Sequence, residues 1–177
     1  MKFTSEASIN VLEYALKREE ESRDFYRDCL GKATVSGTRE ILSGLVADEE
    51  RHVAIVTGML GDAKSGAGAK TVDTAAPESA KVVLDKAFPH AMAGDADFSA
   101  ESATVGDMLK KALDNEKESF DNYSRAAVDA EEPELQDIYR FLAQEESKHY
   151  DLISNTVDFL ADPDEWLYEE ENLIFRL

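Results

Sequence analysis

The chain has 177 residues and a formal net charge of −19, from 38 acidic against 19 basic residues. That balance excludes nucleic acid and anionic membrane surfaces as partners, since both are gripped by a basic face, and it favours cations instead. No apolar run approaches the roughly 20 residues of a membrane span, and a lone Cys29 excludes an intrachain disulfide or a metal centre built from several thiolates.

Abundant Ala, Leu, Glu and Lys with only four prolines favours an all-α class. The start, Met-Lys-Phe-Thr-Ser-Glu-Ala, lacks the long apolar core of a signal peptide, so a cytoplasmic location is expected. The length suits one compact domain over residues 1–177.

Apolar residues at alternating three- and four-residue steps predict four amphipathic helices. The first spans Glu6 to Lys32, with Leu12, Ala15, Leu16 and Tyr26 on its stripe. Val35, Ser36 and Gly37 make a turn, and the second helix, Thr38 to Leu60, carries Ile41, Leu45, Val56 and Leu60. Residues 61–103 are rich in Gly, Ala, Ser, Thr and Asp and read as one long connection, with a short helix over 79–87 ahead of Pro89 and with His90 as a loop residue. Thr104 as a cap with Asp107 in the first turn predicts the start of the third helix, which reaches Ala130. After Glu131-Glu132, Pro133 opens a fourth helix that runs to Ala161. Trp166, Leu167 and Tyr168 begin a short C-terminal helix within the tail 162–177. Two helical hairpins joined by one long crossover are the ferritin-like arrangement of a four-helix bundle.

The two halves match at a shift of 97 positions. Glu19 and Glu116 correspond, as do Tyr26 and Tyr123, and Glu49-x-x-His52 corresponds to Glu146-x-x-His149. Two of the three histidines therefore sit three residues after a Glu, at the same shift as the Glu…Tyr match. Each of these glutamates falls on its helix's apolar stripe, where a bundle core would place Leu. Four carboxylates gathered in a core must protonate or be compensated. Two divalent cations supply that compensation, and residues three apart share a helix face. An oxygen-rich set with one imidazole per ion and no thiolate favours iron or manganese over structural zinc. Glu49 and Glu146 are expected to bridge the ions, Glu19 and Glu116 to be terminal, and His52 and His149 to hold one ion each. Tyr26 and Tyr123 read either as core aromatics or as groups just behind the ligands. Glu20, Glu21, Glu50, Glu118 and Glu145 read as solvated or supporting acids.

These paired motifs resemble the erythrin domain of the rubrerythrin branch of the ferritin-like superfamily. The resemblance implies a di-iron oxidoreductase that reduces hydrogen peroxide, or dioxygen, as a homodimer. Full rubrerythrins carry a rubredoxin domain with paired Cys-x-x-Cys motifs, and nothing in this sequence replaces it, so electrons are expected from a separate donor protein. Ser119 stands where rubrerythrins have an additional Glu. Two other functions fit the same residues: a ferroxidase or iron-handling protein, and a helical interaction module with a structural metal site.

Overall fold

The computed structural model describes residues 3–68 and 98–166. These contain α1 (Glu6–Lys32), α2 (Ser36–Ser65), the single turn α3 (Phe98–Glu101), α4 (Asp107–Asp129) and α5 (Pro133–Ala161), with a π-helical stretch, Ser102–Gly106, joining α3 to α4. No strand occurs among the described residues. The expected helix at 79–87, His90, and the tail residues Leu167 and Tyr168 lie outside them.

Local chemistry sets most helix ends. Ser5 caps α1 by accepting from the Ser8 amide at 3.2 Å. Pro133 occupies the first turn of α5, where its missing N–H leaves nothing unsatisfied. Three boundaries differ from expectation. The segment Val35–Gly37 is not all turn, because α2 already starts at Ser36, and at its other end α2 continues past Leu60 to Ser65. Gly61 stays helical, Ala63 is buried, and the helix stops only where Gly66 takes φ +76°, the left-handed conformation glycine adopts without strain. The third helix does not begin at Thr104. The chain is helical from Phe98, and the Thr104 hydroxyl donates back to Ala100 O at 2.8 Å instead of capping. Tertiary contacts explain the extension, since Phe98 packs edge-on against Phe159 at 5.4 Å. The buried Glu101 accepts from the Thr34 amide (2.9 Å), the Thr34 hydroxyl (2.7 Å) and the Val35 amide (3.3 Å), tying α3 to the α1–α2 link.

The opposite end is tied by Phe3, whose amide donates to Glu132 at 2.6 Å, and by Lys64 with Glu13 at 2.7 Å. α2 therefore ends at the Phe3 end of the bundle while α3 begins at the Thr34 end. α1 and α2 pack closely as one hairpin, and α4 and α5 as the other. α2 and α4 run the same way, so the fold is the all-α, ferritin-like bundle. After Asp162 a further helical turn over 163–166 brings Trp166 edge-on to Phe159 at 5.5 Å.

The core is not continuous. One apolar cluster, with Cys29, Ile41, Leu45, Leu109 and Ile153, fills the Thr34 end, and a second, with Leu12, Val56, Leu135, Ile138 and Leu142, fills the Phe3 end. Between them lies a layer of buried polar side chains.

Candidate metal centre

The polar layer is built by four helix faces. Glu19 on α1, Glu49 and His52 on α2, Glu116 on α4, and Glu146 and His149 on α5 are each at most 3% exposed. Each follows an apolar residue one helical turn earlier (Ala15, Leu45, Ala112 and Leu142 before the four glutamates), so the packing that buries the stripe also buries the carboxylate. The structure thus brings together all six residues singled out from the sequence.

Their arrangement has a pseudo-twofold pattern. His52 Nδ1 faces Glu19 Oε2 at 3.2 Å, Glu49 Oε2 at 3.6 Å and Glu146 Oε1 at 3.7 Å. His149 Nδ1 faces Glu49 Oε1 at 3.3 Å, Glu146 Oε2 at 3.5 Å and Glu116 Oε2 at 3.7 Å. Glu49 and Glu146 therefore each turn one oxygen toward each histidine, whereas Glu19 and Glu116 serve one histidine apiece. The imidazole rings lie 5.5 Å apart and 26° from parallel. Tyr26 crosses the bundle to donate to Glu116, and Tyr123 crosses to donate to Glu19.

Electrostatics show how unfavourable this layer is without cations. Burial, reinforced by repulsion from Glu19, Glu116 and Glu49, drives the Glu146 carboxyl well above its ordinary range. Burial likewise pushes Glu19 up to about 7, against the opposing pull of His52. Burial works against the charge of His52 too, yet contacts with Glu19 and Glu49 lift it to about 9. Glu49 goes the other way, because His149 and His52 more than offset its burial and hold it well below the usual carboxylate range. Burial and the acceptor carboxylate also keep Tyr26 and Tyr123 protonated, as donors.

The donor set fits a pair of metal ions. Ligand atoms of Glu49, Glu116, Glu146 and His149 all lie within 4.8 Å of one another, and so do those of Glu19, His52 and Glu146, with Glu146 common to both groups. Both Glu49 oxygens, Glu116 Oε2, His52 Nε2 and both His149 nitrogens are buried without a hydrogen-bond partner. Buried polar atoms left unpaired are costly, and these are oxygens and imidazoles of the kind that bind iron or manganese.

A family model named Rubrerythrin matches residues 10–157. The chain belongs to the rubrerythrin family. Neither a curated protein nor a solved structure matches it. Rubrerythrins are di-iron carboxylate proteins, and the buried carboxylate and histidine cluster of this family member fits a metal site. No rubredoxin domain is indicated. No helix among the described residues is long and apolar enough to cross a membrane.

Of two supporting side chains, the sequence reading misses Asp48 and leaves Glu145 open between solvated and supporting. Asp48 places Oδ2 3.7 Å from His149 Nε2. Glu145 is not solvated: it is 1% exposed and held by Arg51 at 2.5 Å and Lys148 at 2.6 Å. The repeat offered a signal, because Asp48 and Glu145 occupy matched positions directly before the Glu-x-x-His pairs. Nothing in the periodicity separated them from Glu20, Glu21, Glu50 and Glu118, which are exposed.

Proposed function

We propose that this rubrerythrin-family chain is a di-iron oxidoreductase that reduces the O–O bond of hydrogen peroxide or dioxygen. The observation that carries this reading is the sharing of Glu49 and Glu146 between the two histidines. In it, Glu19, His52, Glu49 and Glu146 would hold one ion, and Glu116, His149, Glu49 and Glu146 would hold the other. Two Fe(II) ions held there would supply one electron each to the oxidant, together with Lewis acidity toward the oxygen being reduced.

The remaining work falls to the protein. The Tyr26 and Tyr123 hydroxyls fix the orientation of the terminal carboxylates Glu116 and Glu19. Asp48 steadies the His149 ring from behind, and Arg51 holds Glu145 in place beside it. The apolar clusters on either side keep bulk water out of the layer. Cys29 is buried, and burial pushes its thiol up to about 12. In this reading, as the resemblance to rubrerythrins implies, electrons come from a separate donor protein and the working unit is a homodimer.

Two experiments test the reading. Anaerobic loading should give two irons per chain, with Glu49→Ala and Glu146→Ala each retaining less than one. Stopped-flow mixing of the loaded protein with peroxide, and separately with dioxygen, should oxidise bound Fe(II) faster than free Fe(II). Oxidation of both no faster than in buffer removes the enzymatic reading and leaves a structural metal site.

A further inference from the structure

The two halves of the carboxylate layer are matched at the ligands and mismatched behind them. Each histidine turns Nδ1 to the carboxylates, and each terminal glutamate accepts from one tyrosine. The difference lies at the other ring nitrogen. His149 Nε2 has the Asp48 carboxylate at 3.7 Å. His52 Nε2 is buried without a hydrogen-bond partner, and the ion pairs of His52 all run through Nδ1.

The internal repeat predicts no such mismatch. At the shift of 97, Asp48 corresponds to Glu145 and Arg51 to Lys148, so each half carries an acid before its bridging glutamate and a base before its histidine. The four side chains nevertheless pair unevenly. Arg51 Nη2 lies 2.5 Å from Glu145 Oε2, and Lys148 Nζ lies 2.6 Å from Glu145 Oε1. Both cations converge on Glu145, which is 1% exposed and has each of its oxygens taken. Asp48 gives only Oδ1 to Arg51, at 3.2 Å, and keeps Oδ2 for His149.

That asymmetry bears on metal affinity. An imidazole that binds an ion through Nδ1 keeps its proton on Nε2. Donating this N–H to an outer carboxylate fixes the ring and makes it more basic, and losing such a partner costs about 10–100-fold in metal affinity. His149 has the charged acceptor in place. His52 would bury its N–H unpaired, which is costly.

We propose that the two ion positions differ in affinity: Asp48, acting through His149, makes the Glu116–His149 position the tighter and first filled, and leaves the Glu19–His52 position the weaker and exchangeable one. Asp48 is thus a positioning residue. This rests on the two-ion reading of the same six side chains and adds the order in which they fill.

Proteins with one position each separate this effect from repulsion between two ions. His52→Ala keeps the His149 position, and His149→Ala keeps the His52 position. The probe is Co(II), a divalent first-row ion that accepts oxygen and imidazole ligands. Calorimetric titration of the metal-free proteins should give a Kd about 10–100-fold lower for His52→Ala than for His149→Ala. Adding Asp48→Ala should raise the Kd of the His52→Ala protein by that factor, and change that of the His149→Ala protein less than about twofold. A merely structural role for Asp48 would weaken both alike.

A measurement on the unaltered protein stands even where a variant fails to fold. In crystals given one equivalent of Co(II), the ion should lie against His149 and Glu116, with Asp48 drawn to about 2.7–3.2 Å from Nε2. Equal Kd values, an Asp48 effect of the same size in both proteins, or an ion found first against His52 overturns the proposal and leaves the two-ion site standing. Co(II) bound by none of these proteins sinks the two-ion reading, and the proposal with it.

Discussion

Two kinds of buried layer alternate along this bundle, and they are held by opposite balances. At either end, Leu12, Leu45, Leu109, Leu135, Leu142 and Ile153 are at most 1% exposed and stabilise the fold by leaving water, with each fully buried side chain contributing about 1.5–3 kcal/mol. In the middle, four carboxylates and two histidines are as deeply buried but gain nothing from leaving water. The same helix periodicity produces both. The ends fold the protein, and the middle is tolerated because the ends force it inside. A cation pair held among these side chains would turn the middle layer from a cost into a gain.

The largest effect that sharpens this contrast is metal loading. At a thousandfold excess over Kd, anaerobic Fe(II) should stabilise the protein by about 4 kcal/mol, which for a domain of this size is about 8–16 °C in Tm. Scanning calorimetry with and without the ion decides it, and an unchanged Tm would erase the distinction between the layers. Truncation at an apolar end comes next. Leu142→Ala should lose about 2–5 kcal/mol, by a similar amount in the metal-free and loaded protein, as read by denaturant titration. Glu146, one turn further along the same stripe, should behave in the opposite sense. Glu146→Leu should raise metal-free stability by about 1–4 kcal/mol, because a desolvated carboxyl that is kept protonated among other carboxylates is replaced by a packed hydrophobe, while abolishing the Fe(II)-induced rise in Tm.

The pH response of the metal-free protein follows from the same layer. Glu19 has its folded-state value raised from 4.5 to about 7, and His52 from 6.5 to about 9. Between those limits the folded chain holds more protons than the unfolded one, so stability should fall as pH rises through 4.5–7 and again through 6.5–9. Glu49 and Asp48 are shifted down, so their contribution is lost only in acid, as pH falls below the ordinary carboxylate range. Metal displaces the protons, so the Fe(II)-induced rise in Tm should be greater at pH 8 than at pH 6. A metal-free Tm that stays level or climbs from pH 6 to 9 contradicts this. The smallest effect belongs to the solvent side of the same helices. Arg27→Ala removes an exposed pair with Glu50 and should change stability by no more than about 0.5 kcal/mol in either metal state.

Much of this was legible before any coordinates. α1 begins and ends where its apolar stripe suggests, and Pro133 marks the start of α5. The convergence of the six buried residues was readable because two constraints coincided: an apolar period that fixes which face is buried, and an internal repeat that singles out the same glutamates and histidines on that face. Where only one constraint acted, the reading stayed open or missed. Glu145 is as acidic as Glu50 and sits beside a candidate ligand just as Glu50 does, yet one is buried under Arg51 and the other meets solvent. Thr104 satisfied a capping pattern that the helix from Phe98 made irrelevant, because Glu101 and Phe98 found partners on other segments of the chain.

The amino-acid order by itself determined four amphipathic helices, their pairing into hairpins and the placing of carboxylates on apolar stripes, since each depends on spacing along one helix. Tertiary structure alone decided that Tyr26 answers Glu116, that Tyr123 answers Glu19 and that Asp48 stands behind His149. Those facts depend on which faces of different helices meet and at what distance, and no interval counted along a single chain encodes that.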